Sequence, residues 1–114
     1  MLFLCIFKER EDKSVKKLFI SQPMRGKTDE EILAVREKAI KSAEKLIGEP
    51  VEVIDSFFQS VPVGVKPLWY TGESIKLLAE TDVAYFVKGW NEFRGCRIEH
   101  ICAVEYGIDR IEES

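Results

Sequence analysis

Histidine occurs once, as His100, and the three cysteines, Cys5, Cys96 and Cys102, show no C-x-x-C spacing. Zinc sites draw on several such ligands and disulfide frameworks on paired cysteines, so neither is supported, and no resident metal or cofactor is expected. A basic surplus is missing too. Against 20 aspartates and glutamates stand 17 lysines and arginines, a formal net charge of -3, which argues against a nucleic acid polymer as partner. The longest opening apolar run, MLFLCIF, has seven residues and gives way at once to KEREDKS. It is too short for a membrane span and lacks the basic start and cleavage site of a signal peptide, so no membrane partner is expected and a reducing cytoplasm fits best. Internal repeats, low-complexity tracts and the glycine patterns G-x-G-x-x-G and G-x-x-x-x-G-K-[ST] are all absent. A dinucleotide or triphosphate site is therefore not indicated.

What remains is a chain of 114 residues, enough for one domain with its own core. Residues 1–16 read as an N-terminal extension, an added strand or partly disordered, and residues 17–114 as the domain. KKLFIS (16–21) is a short β-prone run that stops at Gln22-Pro23. Thr28 with Glu31 three residues later forms a capping-box pair. From there Ile32, Val35, Ala39, Ile40, Ala43, Leu46 and Ile47 recur at helical spacing until Gly48 and Pro50 end the helix. VEVID (51–55) predicts a second strand. SFFQSVPVGVKPLWY predicts an irregular aromatic loop of a length often tied to function. A second helix is expected over Glu73 to Thr81 with Ile75, Leu78 and Ala79 inward, then a third strand, DVAYFV (82–87), apolar on both faces. GWNEFRG follows as a loop, CRIEHICAVEY as a helix ended by Gly107, and IDRIEES as at most a short fourth strand.

This alternation predicts a three-layer α/β/α fold with a small, mainly parallel sheet, flavodoxin-like or Rossmann-like. Ligands of such sheets bind beyond the carboxyl ends of the strands. Three loops become the candidate site: SQPMRGK, DSFFQSVPVG and KGWNEFRG.

At about 100° per residue, Glu99 shares an arc of roughly 160° on the last helix with Cys96, Ile98, Cys102, Ala103 and Tyr106. No other charge enters that arc. Glu99 either caps its helix or pairs with an arginine, or it faces a ligand as nucleophile or general base. A cluster of aromatics, Phe57, Phe58, Trp69, Tyr70 and Trp90, falls in the other candidate loops and could stack on a nucleobase or simply pack in the core. His100 has no ligand-spaced partner and reads as a surface or satisfied side chain.

Three stretches, FISQPMRG, DVAYFVKGW and RGCRIEHICAVEYG, together resemble the DUF4406 family, which is similar to nucleoside 2-deoxyribosyltransferases. The resemblance runs from about Lys17 to Gly107. Its most specific part, Gly95-Cys96-x-x-Glu99-x-x-x-Ala103, looks like the transferases' G-T-x-x-E-x-G-x-A, with Cys96 for the threonine, Ile101 for the second glycine, and Phe93 where an aspartate usually stands two residues before the first. The resemblance implies that Glu99 is the catalytic nucleophile of a nucleoside or nucleotide 2-deoxyribosyltransferase or N-glycosidase, working through a covalent deoxyribosyl-enzyme. It implies that Ser21, Gln22, Pro23, Met24 and Gly26 line the base or sugar pocket, and that Trp90, Asn91, Arg94 and Gly95 border it. Arg25 and Arg94 suit a phosphate-bearing ligand, since guanidinium matches phosphate oxygens in bidentate fashion. The expected partners are a small-molecule nucleoside or nucleotide and further copies of the chain in a homo-oligomer. The alternative is a non-catalytic nucleotide-binding or sensing module on the same fold.

Overall fold

The computed structural model describes residues 15–114, so Cys5 and all but the last two residues of the N-terminal extension lie outside the described residues. The chain forms β1 (Lys16–Ser21), α1 (Asp29–Ile47), β2 (Val51–Val53), α2 (Pro67–Leu78), β3 (Val83–Phe86), α3 (Arg94–Glu105) and β4 (Asp109–Glu112), with a 3-10 turn over Trp90–Glu92 ahead of α3.

The strands lie in the order β2-β1-β3-β4 and every neighbouring pair is parallel. Side chains alternate between the two faces of each strand, which sorts the core into two layers. Leu18 and Ile20 of β1 share one face with Val83 and Tyr85 of β3, and they pack with Ala39 and Ala43 of α1. Phe19, Ala84 and Phe86 occupy the other face with Leu78 of α2 and Ala103 of α3. One helix on one side and two on the other make the three-layer α/β/α fold. Each large apolar side chain buried here stabilises the fold by about 1.5–3 kcal/mol relative to exposure.

Helix α1 is fixed at both ends by its own sequence. Thr28 Oγ1 accepts from the Glu31 N–H at 3.1 Å, and the Glu31 carboxylate accepts from the Thr28 N–H at 2.9 Å. Gly48, in the left-handed region at φ 88°, closes the helix by donating its N–H to Glu44 O at 2.8 Å. The buried stripe is Ile32, Arg36, Ala39 and Ala43, while Leu46 stands in solvent. An arginine thus holds a place in the core-facing row that its charge hides from an apolar-periodicity reading.

Helix α2 begins six residues before the expected Glu73 and ends at Leu78. The reason lies in Pro67, whose missing N–H costs nothing in the first helical turn and whose fixed φ suits it. The segment PLWY is therefore helix rather than loop. With that start, Ser74 and Leu78 face inward, and Ile75 and Ala79 are exposed, opposite to the expectation for both. Strand β2 is also shorter than VEVID, though the Ile54 N–H still donates to Leu18 O at 2.8 Å.

At the amino edge of the sheet, the Asp82 carboxylate accepts from the Lys17 N–H at 2.8 Å and ties β1 to the start of β3. Among the described residues no helix is long and apolar enough to cross a membrane.

Replacing Thr28 by Ala removes one arm of the capping box. It should lower the unfolding free energy by about 1 kcal/mol in urea titration, with an unchanged slope. A variant as stable as the parent would show that α1 does not depend on its cap.

Candidate active site

The chain runs from β1 to β2 on one side and then returns to place β3 on the other side of β1. Loops diverge at that reversal and leave a crevice at the carboxyl ends of the strands. A pocket of about 880 Å³ fills it. Its walls are Gln22, Pro23, Met24 and Arg25 after β1, Ser56, Phe57 and Phe58 after β2, Pro67, Tyr70, Thr71 and Ser74 of α2, and Glu92 to Arg97 with Glu99 around the start of α3.

Glu99 is 9% exposed, and its Oε1 accepts a hydrogen bond from Ser21 Oγ at 2.6 Å. The parity of β1 makes this contact possible. Ser21 stands two residues after Phe19, so it points to the same α2/α3 side of the sheet, and it is the last strand residue before the loop. Burial pushes the Glu99 carboxyl above its ordinary value, while the hydroxyls of Ser21 and then Ser74 pull it back down by favouring the charged form. Helix α3 starts at Arg94, so Glu99 lies in the second turn, beyond the strongest field of the helix N-terminus. The N-cap residue is Phe93, without a side-chain cap, and Glu99 makes no ion pair among the described residues. The capping and arginine-pairing alternatives are thereby set aside. A buried carboxylate supported by hydroxyls in a pocket wall can act as nucleophile when ionised, or as hydrogen-bond donor when protonated.

Cys96, one turn before Glu99, is also buried. Desolvation pushes its thiol up to about 11, with the Glu99 charge adding to the rise against a hydrogen bond from Ser21 and the charge of Arg97. Such a thiol stays protonated and unreactive near neutral pH.

The remaining expected site residues divide. Gln22, Pro23, Met24, Arg25, Arg94 and Gly95 line the pocket with Glu99, and Ser21 joins them through its bond to the carboxylate. Gln22 is largely committed to the scaffold, because its amide donates to Ile32 O at 3.1 Å and its carbonyl accepts from Arg36 Nη1 at 3.1 Å. Gly26 sits in the turn closed by the Lys27 N–H to Met24 O bond, at φ 80°, where a side chain would be strained, and it is not part of the wall. Trp90 does not line the pocket either. It stacks on His100 at 4.0 Å and packs on Phe86 at 5.6 Å, beneath α3. Asn91 is exposed, and its carbonyl accepts from Arg97 Nη1 at 3.3 Å. His100 is satisfied by Glu112, with Nε2 2.7 Å from Oε2. Of the loop aromatics, Phe57, Phe58 and Tyr70 face the pocket, while Trp69 packs edge-on against Tyr70 at 5.2 Å and against Phe58 at 5.8 Å.

Several site residues escaped the sequence reading. Thr71 falls in the segment expected to be loop, and Ser74 is a polar residue that an apolar-periodicity reading passes over; helical spacing from Pro67 puts both on the inner face. Arg36 bonds Gln22, Ser56 Oγ at 3.3 Å and Ile54 O at 3.2 Å, so one buried guanidinium ties the first two pocket loops together. Desolvation lowers its pKa and the nearby Asp55 charge opposes that. No group of three His, Cys, Asp or Glu that could hold a metal occurs among the described residues.

Residues 16–111 match the model of a family described as a domain of unknown function, DUF4406. No curated protein and no solved structure matches the chain.

Glu99→Gln retains an oxygen that can accept from Ser21 and removes the charge. Because the folded-state pKa is raised, the folded protein binds the proton more tightly than the unfolded chain. Its stabilising contribution is therefore full below the ordinary value of 4.5 and is lost as pH rises through the raised one. The melting temperature of the variant minus that of the parent should be small near about pH 4 and larger, then constant, at about pH 8. A difference independent of pH over this range would contradict the burial assigned to the carboxylate.

Proposed function

Starting from a chain that belongs to the DUF4406 family, we propose that it is a nucleoside or nucleotide 2-deoxyribosyltransferase or N-glycosidase in which Glu99 is the nucleophile. The observation that carries this reading is the solitary buried carboxylate in the pocket wall, fixed by Ser21 at the carboxyl edge of a parallel sheet. A pocket of about 880 Å³ lies within the range that holds small organic ligands, and Phe57, Phe58 and Tyr70 offer aromatic faces to a base.

In the first step the ionised Glu99 carboxylate attacks the anomeric carbon. The C–N bond breaks, its electron pair leaves with the base, and the base gains a proton from water or from a pocket acid, for which Glu92 is the available carboxyl. The product is a deoxyribosyl ester of Glu99. In the second step an acceptor base or water attacks the same carbon and gives up a proton, the ester C–O bond breaks, and the carboxylate is restored. Two displacements give net retention. The Ser21 hydroxyl supports the charged form that attack requires, and it fixes the orientation of the carboxylate through Oε1.

A second reading, binding or sensing without turnover, is favoured by the burial that raises the Glu99 pKa. A protonated Glu99 would donate a hydrogen bond to a ligand instead of attacking it. On either reading the ligand is a free nucleoside or nucleotide, no cofactor is required, and the reducing cytoplasm suits the free thiols of Cys96 and Cys102. The exposed apolar side chains of Leu68 and Ile75 on α2 and of Ile101 and Val104 on α3 support association of copies into a homo-oligomer.

With a panel of deoxynucleosides and their monophosphates, the parent should release or exchange the base, and Glu99→Ala and Glu99→Gln should lower kcat by about 10³-fold or more with the fold intact. A 2-fluoro-substituted deoxynucleoside should leave one sugar mass on the peptide containing Glu99. The parent rate should climb with pH as the carboxyl ionises. Unchanged turnover in either variant would refute the nucleophile assignment; saturable binding by an inactive parent would establish the second reading.

A further inference from the structure

The charge in the pocket wall is unevenly arranged. Its interior holds the buried carboxylate of Glu99 and neutral hydroxyls, whereas Arg25, Arg94 and Arg97 are all exposed and line the same cavity. Glu92 is the one other carboxylate in that wall. The chain as a whole carries a net charge of -3, so three guanidiniums converging on one opening run against its general balance. Among the described residues none of the three stands in an ion pair.

Two of these arginines have a fixed relation to Glu99. Arg97 and Arg94 precede it on α3 by two and five residues, about 3 Å and about 7.5 Å along the axis and about 200° and about 140° around it, so both exposed side chains reach the cavity from its rim. Arg97 Nη1 is steadied by the Asn91 carbonyl at 3.3 Å, which leaves its other N–H groups free for a ligand. Arg25 approaches from the turn after β1, a different element of the wall. A neutral nucleoside with its sugar at Glu99 would leave these cations without use. A phosphate monoester on the far side of the sugar would meet them, and guanidinium forks bind such oxygens in bidentate fashion.

We infer that the pocket takes deoxynucleoside 5′-monophosphates in preference to deoxynucleosides, with the phosphate held by Arg94 and Arg97 of α3 and by Arg25 of the β1–α1 turn. The inference rests on the assignment of Glu99 as the residue that meets the sugar, but it concerns affinity and does not require turnover.

Calorimetric titration of the full chain tests it, using matched pairs of deoxynucleoside and deoxynucleoside 5′-monophosphate, with inorganic phosphate and deoxyribose 5-phosphate as further ligands. The monophosphate should bind at least tenfold tighter than its nucleoside, and Arg94→Gln, Arg97→Gln and Arg25→Gln should each shrink that ratio severalfold while the thermal melt shows a folded protein. Equal affinities for nucleoside and monophosphate would overturn the inference and leave the glycosyl-transfer reading standing wherever base release is observed. Inorganic phosphate or deoxyribose 5-phosphate binding as tightly as the monophosphate would also overturn it, since the site would then be a general anion site with no base recognition. Binding of none of these ligands would overturn both the inference and the reading on which it rests.

Discussion

The hydrogen bond from Ser21 to Glu99 joins the end of the central strand to the second turn of the last helix, 78 residues apart in sequence. A carboxylate in a largely apolar wall is tolerated only when something favours its charged form. Here the hydroxyls of Ser21 and Ser74 supply that support, and Ser21 reaches Glu99 because β1 and β3 pair in parallel and α3 packs on the face they share. Moving Ser21 by one residue would turn it to the α1 face and remove its hydrogen bond to Glu99. The position of the site is thus a consequence of strand parity, sheet order and the start of α3 acting together.

Around this contact the protein invests polar side chains in fixing loops. Arg36 reaches from α1 to Gln22, Ser56 and Ile54, so the loops after β1 and β2 are held by one buried cation. Buried networks of this kind are sensitive to loss of any member, because the remaining groups are left unpaired in a low-dielectric setting. Trp90 and His100 act similarly on the other side, where their stacked rings, with Phe86, set the approach to α3. Side chains that resemble ligand contacts in sequence therefore divide into those that build the wall and those that face the cavity.

Strands and first helix were readable from sequence because local signals there agree. KKLFIS stops where Gln22-Pro23 begins, and Thr28, Glu31 and Gly48 mark α1 to the residue. The arc around Glu99 was equally readable, since a single charge among Cys96, Ile98, Cys102 and Ala103 stands out on a helical wheel. Legibility failed where one residue type has two meanings. Pro67 reads as a loop breaker but starts α2, and Ile75, expected inward, is exposed while Ser74 is buried. Arg36, which apolar periodicity passes over, lies in the core-facing row of α1, and Trp90, which the resemblance places at the pocket border, stacks on His100 instead. For Arg36 the deciding partners, Ser56 and Ile54, lie 20 and 18 residues away, where no local pattern reaches, whereas Pro67 is a local signal with two readings.

The candidate site depends most directly on the environment of one carboxyl group. Carbon-13 detection of the Glu99 side-chain carboxyl through a pH titration, in the parent and in Ser21→Ala, isolates it. The carboxyl should titrate above the ordinary value of 4.5 in the parent and rise further when the Ser21 hydroxyl is removed. An ordinary titration unaffected by Ser21→Ala would mean that Glu99 is solvated and unsupported, which contradicts a buried carboxylate held by Ser21.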